Sequence, residues 1–370
     1  MQKITLLIVL IALTAMPVLA QETKLSGEFW GRWTLENGKV PADSTDALLK
    51  NYLALDRGYL GFETKFSEST KARFTVDMFS TDLLEDGAGL KLKYGYVDFA
   101  NLTPVPDLTL SAGLQKVYFG TIYDWTYALI GKAPSDEYKI TNSADYGITA
   151  NGYIPNGMGE YAFGIYNGKG YKKFGKNLKD NTKFSYLANL RLTPVPGITI
   201  GGSFMSNSVE REKSLTTNAV NDKYQDQTLI DALARFAYGP VDLWAEYLIK
   251  DVKHADAFAS KDYSAKGLMI MPSINLKDIT GYDVQILARY DSWDESERTD
   301  SSKNKLTAIT GGVNYNFMHD EHMNPKMNLQ LNVTSKTHDE DNSAAAYMNG
   351  LKDVMQVMMQ LKWRFANTLN

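Results

Sequence analysis

Between Asp353 and Phe365 every second residue is apolar. Met355, Val357, Met359, Leu361, Trp363 and Phe365 share one face of an extended chain, and Gln356, Gln360, Lys362 and Arg364 share the other. A strand turns successive side chains to opposite faces, whereas a helix would bring polar residues to both sides of this pattern. The stretch therefore predicts a strand that is greasy on one face and wet on the other. The same alternation runs through Lys71 to Phe79, where Ala72, Phe74, Val76 and Met78 oppose Lys71, Arg73, Thr75 and Asp77, and through Lys326 to Thr334.

Along the whole chain the alternation predicts strands near 24–35, 50–66, 71–82, 90–103, 107–120, 144–154, 159–168, 182–193, 197–208, 228–239, 240–252, 262–275, 281–292, 304–318, 325–336 and 353–365, which is sixteen. Their connections alternate in length. Those after the even strands are short, as at Ser67 to Thr70, Pro104-Val105-Pro106, Pro194-Val195-Pro196 and Gly239-Pro240. Those between strands 1 and 2, 5 and 6, 9 and 10, and 15 and 16 are long and polar. An even strand count with short turns on one rim and long loops on the other predicts an all-β, antiparallel up-and-down transmembrane barrel, its turns periplasmic and its loops extracellular.

Composition agrees with a large sheet. Tyr 22, Phe 15, Trp 6 and Gly 28 stand beside 11 Pro in 370 residues, as suits a wall wetted on one face. Met1-Gln2-Lys3, the apolar run Ile4 to Leu13 and Val18-Leu19-Ala20 read as a signal peptide over residues 1–20, cleaved after Ala20. That run falls short of the ~20 apolar residues a membrane-spanning helix needs. With no cysteine, the exported chain has no disulfide framework and relies on hydrogen bonding and packing. No linker divides residues 21–370, which read as a single domain. A net charge of −4 is too small to indicate a nucleic-acid partner.

One corner of the pattern repeats. LTPVPDLTLSAGLQ from Leu102 returns as LTPVPGITIGGSFM from Leu192, and NLKDITGYDVQILARYD from Asn275 is a looser copy. A separation of 90 residues is about four strands, so these are equivalent short-turn corners. Proline is tolerated there because the chain has left its ladder. A β-propeller would repeat at about 40–45 residues, and the pattern could be cut that way. Its strands would not carry outward stripes this uniformly apolar.

The segments AGLQKVYFGTIYDW (Ala112 to Trp125), APSDEY (Ala133 to Tyr138) and ADYGITANGYI (Ala144 to Ile154) resemble a strand, in-folded loop and next strand of Gram-negative porins of the phosphate-selective O/P type. GGVNYNFM, MNLQLNVTSK and MQLKWRF are similar, in order, to the last three strands of that family. The chain departs from it by continuing past Phe365 with Ala366-Asn367-Thr368-Leu369-Asn370, where such porins usually stop at the aromatic residue. The resemblance implies a homotrimeric, sixteen-stranded diffusion channel for small hydrophilic solutes and inorganic ions. It also implies contacts with outer-membrane lipid, lipopolysaccharide and the barrel-assembly machinery, and a loop between strands 5 and 6 that narrows the pore.

A sixteen-stranded barrel encloses an aqueous lumen, so no catalytic group, cofactor or metal is required. Strand phase points Glu28, Arg32, Arg57, Glu63, Arg73, Asp77, Lys91, Lys93, Gln115, Arg191, Asp231, Arg235, Asp242, Glu246, Asp283, Arg289, Lys362 and Arg364 inward, ten basic and seven acidic groups among them. Rings of Arg and Lys favour anions, so the expectation is a weak anion preference, with phosphate as one candidate. The loop from Thr121 to Ser143 carries Tyr123, Asp124, Trp125, Asp136 and Glu137. If it folds inward, its carboxylates would face the basic wall and set up a transverse field. Its aromatic rings could instead stack on sugars, which keeps a sugar-selective channel open.

Other motifs carry less. The basic stretch Asn167 to Asp180 reads as an extracellular loop that could meet lipopolysaccharide phosphates. His319-Asp320-Glu321-His322 holds potential metal ligands but sits in a predicted turn without the helical i, i+4 histidine pair, and the acidic stretches at Asp291 to Asp300 and His338 to Asp341 lack calcium-loop spacing. A barrel enzyme would need a Ser and His pair, and His254, His319, His322 and His338 all fall in predicted loops or turns. A plugged structural or adhesive barrel is the remaining alternative.

Overall fold

The computed structural model describes residues 22–39, 46–81, 87–171, 183–210, 224–253, 262–295, 297, 304–320, 325–340 and 353–369. The signal-peptide reading, His254, Glu321, His322, residues 172–180 of the basic stretch, residues 296 and 298–300 of the first acidic stretch and Asp341 of the second lie outside these.

Sixteen strands form: β1 (Glu22–Lys39), β2 (Asp46–Lys65), β3 (Thr70–Ser80), β4 (Ala88–Ala100), β5 (Thr109–Lys116), β6 (Ala144–Ile154), β7 (Gly159–Tyr166) and β8 (Ser185–Val195). They continue as β9 (Ile198–Glu210), β10 (Tyr224–Tyr238), β11 (Val241–Lys253), β12 (Tyr263–Asn275), β13 (Val284–Asp294), β14 (Asn304–His319), β15 (Pro325–Glu340) and β16 (Asp353–Leu369). Each pairs antiparallel with the next, and β1 pairs with β16, so the sheet is a closed barrel without edges.

Burial is inverted relative to a soluble sheet. Leu331, Met359 and Leu361 are 46%, 45% and 38% exposed, whereas Gln330, Asn332 and Gln360 are at most 1% exposed. The apolar stripe thus faces outward and the polar stripe inward, as lipid around a barrel requires.

The residues beyond Phe365 belong to the barrel wall. Ala366, Asn367, Thr368 and Leu369 pair with Ser26, Leu25, Lys24 and Thr23, so the tail completes the closing seam. The repeated corners occupy the turns β4–β5, β8–β9 and β12–β13, four strands apart. At the second, the register shifts between Leu192 and Val195, where Pro194 cannot donate to the ladder.

Some expectations need correction. Asp283 lies in the turn before β13, not on an inward strand position; its carboxylate meets His319 Nε2 at 3.0 Å and accepts a bond from Asn316 at 2.9 Å. His319 ends β14 and His338 lies within β15, so neither is a loop residue. Asp291 is likewise inside β13, bonded to Arg289. Paired backbone carried these strands further than side-chain alternation alone could show.

Candidate functional site

β5 leaves the wall at Lys116, four residues before its predicted end, and the chain does not return until Ala144. The intervening loop enters the barrel because it has an apolar side to bury. Val117, Phe119, Ile122, Ala133, Tyr138 and Ile140 form one cluster with the inward residues Tyr166, Leu187, Met205, Leu229, Leu248, Val252, Tyr263, Ala265 and Trp293. The inner wall from β7 to β13 is therefore not uniformly polar. It carries an apolar patch that the loop covers, and the stacked rings of Tyr138 and Trp293, 5.1 Å apart, mark the contact.

Polar ties fix the loop's course. Gly120 N–H donates to Ser203 Oγ at 2.9 Å and Thr121 Oγ1 donates to Glu246 Oε2 at 2.6 Å. Arg191 forks onto Asp124 at 2.5 and 3.2 Å. Further along, Gln330 Nε2 and Lys362 Nζ donate to the Tyr127 carbonyl at 2.9 and 3.1 Å, and Arg289 Nη1 donates to the Lys132 carbonyl at 2.7 Å. Lys93 and Ser143 close the exit. The loop thus crosses the lumen from β5 to the β15–β16 wall and back.

The cavities that remain include one of about 560 Å³ on the long-loop side and one of about 500 Å³ on the short-turn side. Tyr127 lines both. The first is bounded by Arg32, Arg57, Lys91, Lys132, Arg289 and Lys336 against Asp56, Asp77, Glu137 and Asp291, an excess of two positive groups. The second has Lys24, Arg73, Lys93, Lys116 and Arg364 against Glu28 and Glu63, an excess of three.

Two bulges shape the wall at this level. The register of β1 and β2 shifts so that Trp30 faces Arg57 and Gly31 faces Leu55, leaving Asp56 as the extra residue. On β4, Tyr94 faces Thr75 and Leu92 faces Val76, leaving Lys93 extra. A bulge re-aims side chains locally. Asp56, which strict alternation would send away from Arg57's face, therefore reaches Arg32 at 2.7 Å.

Arg57 lies 5.3 Å from the Trp30 ring and 5.4 Å from the Tyr127 ring, and its Nη1 donates to the Tyr59 and Tyr127 hydroxyls at 2.6 and 3.1 Å. Burial pushes the Tyr127 hydroxyl up to about 12, against the opposing pull of Arg57, so it stays a neutral phenol at physiological pH. Arg73 rides over Tyr94 at 4.8 Å, Lys91 over Phe79 at 5.0 Å, and Lys93 over Tyr171 at 4.1 Å.

The sequence-derived candidates divide accordingly. Arg32, Arg57, Arg73, Lys91 and Arg364 border the cavities, and Lys362 holds the loop's main chain beside them. Gln115, Arg191 and Arg289 were expected on the open wall but are at most 5% exposed. Gln115 bonds Thr149 and Gly147 within the wall, while the two arginines pin the loop, Arg289 at the margin of the first cavity. Lys93 is similarly enclosed, at 3% exposed. Arg235 forks onto Asp242 at 2.9 and 2.8 Å and stacks on Trp244 near the short-turn rim.

The transverse field also takes another form. Asp124 is spent on Arg191, and Glu137 is 3.7 Å from Lys336; Asp136 stays half-buried in the helical turn Pro134–Glu137. Tyr123 shares a hydrogen bond with Glu160, and Trp125 donates to the Gly131 carbonyl at 2.9 Å. Trp30, Tyr59 and Tyr94 are absent from the expected inward set, which held charged side chains and Gln115 and no aromatic ring. Trp30 sits two residues from both Glu28 and Arg32 on one face, so its phase was readable.

The family described as phosphate-selective porin O and P matches residues 31–363. Among curated protein sequences there is no match. Solved structures share the fold, three of them as follows. The anion-selective porin from Comamonas acidovorans has 14% identity and a TM-score of 0.60, over 93% of this chain and 99% of that one. The in-vitro-folded outer membrane protein OmpT of Vibrio cholerae, in its trimer form, has 11% identity and a TM-score of 0.58 over 93% and 99%. The outer membrane channel DcaP of Acinetobacter baumannii has 10% identity and a TM-score of 0.62 over 93% and 97%.

Proposed function

Because the chain belongs to the phosphate-selective porin O and P family, we propose that the outer-membrane channel it forms passes small hydrophilic solutes and inorganic ions by diffusion, with a weak preference for anions. One observation carries the preference: both cavities hold more basic than acidic groups, and Arg57 at their junction approaches a carboxylate no closer than 4.0 Å among its described ion pairs. A cation held between low-dielectric walls attracts a mobile anion more strongly than it would in water. Family and fold point to a channel rather than an enzyme.

The finer readings extend this one. Residues 1–20 act as a cleaved export signal, and the mature chain assembles as a homotrimer in the Gram-negative outer membrane. Barrel-assembly machinery and lipopolysaccharide are its expected partners there. Sequencing of the mature N-terminus should begin at Gln21.

The decisive measurement is the reversal potential of single channels in a planar bilayer under a KCl gradient. Chloride should permeate better than potassium, and Arg57→Gln should move the potential toward zero selectivity. A cation-preferring channel would overturn the reading, and a folded but silent barrel would favour a plugged structural role.

A further inference from the structure

Arg57 is unusual in what surrounds it. Asp56, its neighbour in the chain, is held by Arg32 at 2.7 Å and lies 4.0 Å from Arg57 Nε, and Arg32 is also bonded to Gln360 at 2.7 and 2.9 Å. The hydrogen bonds of Arg57 go to two phenol oxygens, those of Tyr59 and Tyr127. Neutral acceptors hold a guanidinium less strongly than a carboxylate does. An entering carboxylate can therefore displace them and take the planar fork.

The rest of the junction is aromatic. Trp30 meets Tyr127 edge to face at 4.6 Å and Tyr59 at 6.1 Å. The Tyr127 main chain is fixed by Gln330 and Lys362, which leaves its ring to turn about the side-chain bonds while the loop stays in place. A compact oxyanion such as phosphate would find there one guanidinium, with its nearest carboxylate oxygen 4.0 Å away on Asp56 and two phenols as its hydrogen-bond partners, and little else to hold it. A flat ring attached to a carboxylate would satisfy both halves of the site, its charge on Arg57 and its face on Tyr127, which the buried Trp30 backs from the wall.

We propose that the junction of the two cavities, formed by Trp30, Arg57, Tyr59 and Tyr127, is a binding site for small anions that carry an aromatic ring, with aryl carboxylates as the simplest members. The inference rests on the anion-channel reading and sharpens its substrate class. Binding by ring and charge together retards such anions where the two cavities meet and raises their local concentration, while chloride passes on charge alone.

The test uses the full mature chain in planar bilayers and three probes: benzoate, cyclohexanecarboxylate and inorganic phosphate. Benzoate should interrupt the single-channel current at a concentration about tenfold lower than either of the others, a difference within the range of one or two aromatic contacts. Tyr127→Leu and Trp30→Leu should each bring benzoate close to cyclohexanecarboxylate, read as the ratio of the two blocking concentrations in the same channel. Arg57→Gln should weaken block by all three. If Trp30→Leu fails to insert, Tyr127→Leu decides, because it lies on the loop and not in the wall. Equal block by the two carboxylates, or strongest block by phosphate, would overturn the aromatic site and leave the anion channel standing. A channel without chloride preference in KCl alone would instead remove the reading beneath it.

Discussion

Gly120 has φ +51°, and a Cβ there would lie 2.3 Å from Glu246 Oε1 and 3.2 Å from Asp231 Oδ1. Both carboxylates are almost wholly buried, at 1% and 3% exposed, so they cannot move aside into water. Glycine is needed here for its backbone and for its missing side chain together. Gly120→Ala should therefore loosen the loop at its first tie, at a cost of about 1–3 kcal/mol. Single-channel recordings should show larger and noisier currents, and an unchanged current would mean that the loop is held by its other anchors alone. Such a close approach has no counterpart in the sequence, where Phe119-Gly120-Thr121 reads as an ordinary strand end.

At the scale of elements, the barrel wall answers to lipid and its turns answer to water. Met359 lies near the middle of β16 on the outward face. Met359→Lys should cost about 2–4 kcal/mol if it sits at the bilayer midplane, and should deplete the folded, heat-modifiable band from outer-membrane fractions. Normal insertion would show the strand phase to be inverted. The turn before β13 is tied differently. Burial works to raise the Asp283 carboxyl, but hydrogen bonds from Asn316 and His319 and the nearby Lys277 outweigh it and hold the group below its ordinary value. A folded value below the unfolded one means that this tie stabilises fully above about pH 4 and is lost as pH falls through the folded value. Unfolding in urea should accelerate over that acid range, and Asp283→Asn should flatten this part of the profile. An identical acid response in the variant would assign it to other carboxylates.

For the whole molecule, the loop divides the lumen unequally. It seals the apolar inner wall of β7 to β13 and leaves the passage along β1 to β4 and β13 to β16, where basic and aromatic side chains face one another. Sequence alone determined the barrel, the sixteen strands and their inward and outward faces, because alternation is local and a bilayer enforces it on every strand alike. The boundaries of β6 were legible to the residue. The site was legible only in part. Arg32, Arg57, Arg73 and Lys91 could be placed from phase, but which cations stay open to the passage depended on where the loop docks and on bulges that break the phase at Asp56 and Lys93. Those are decided by contacts between residues far apart in the chain, such as Tyr127 with Lys362 and Asp124 with Arg191. A repeat of period two carries no information about such pairings. Tertiary structure alone could turn an inward stripe into buried anchors on one side of the barrel and an open, charged surface on the other.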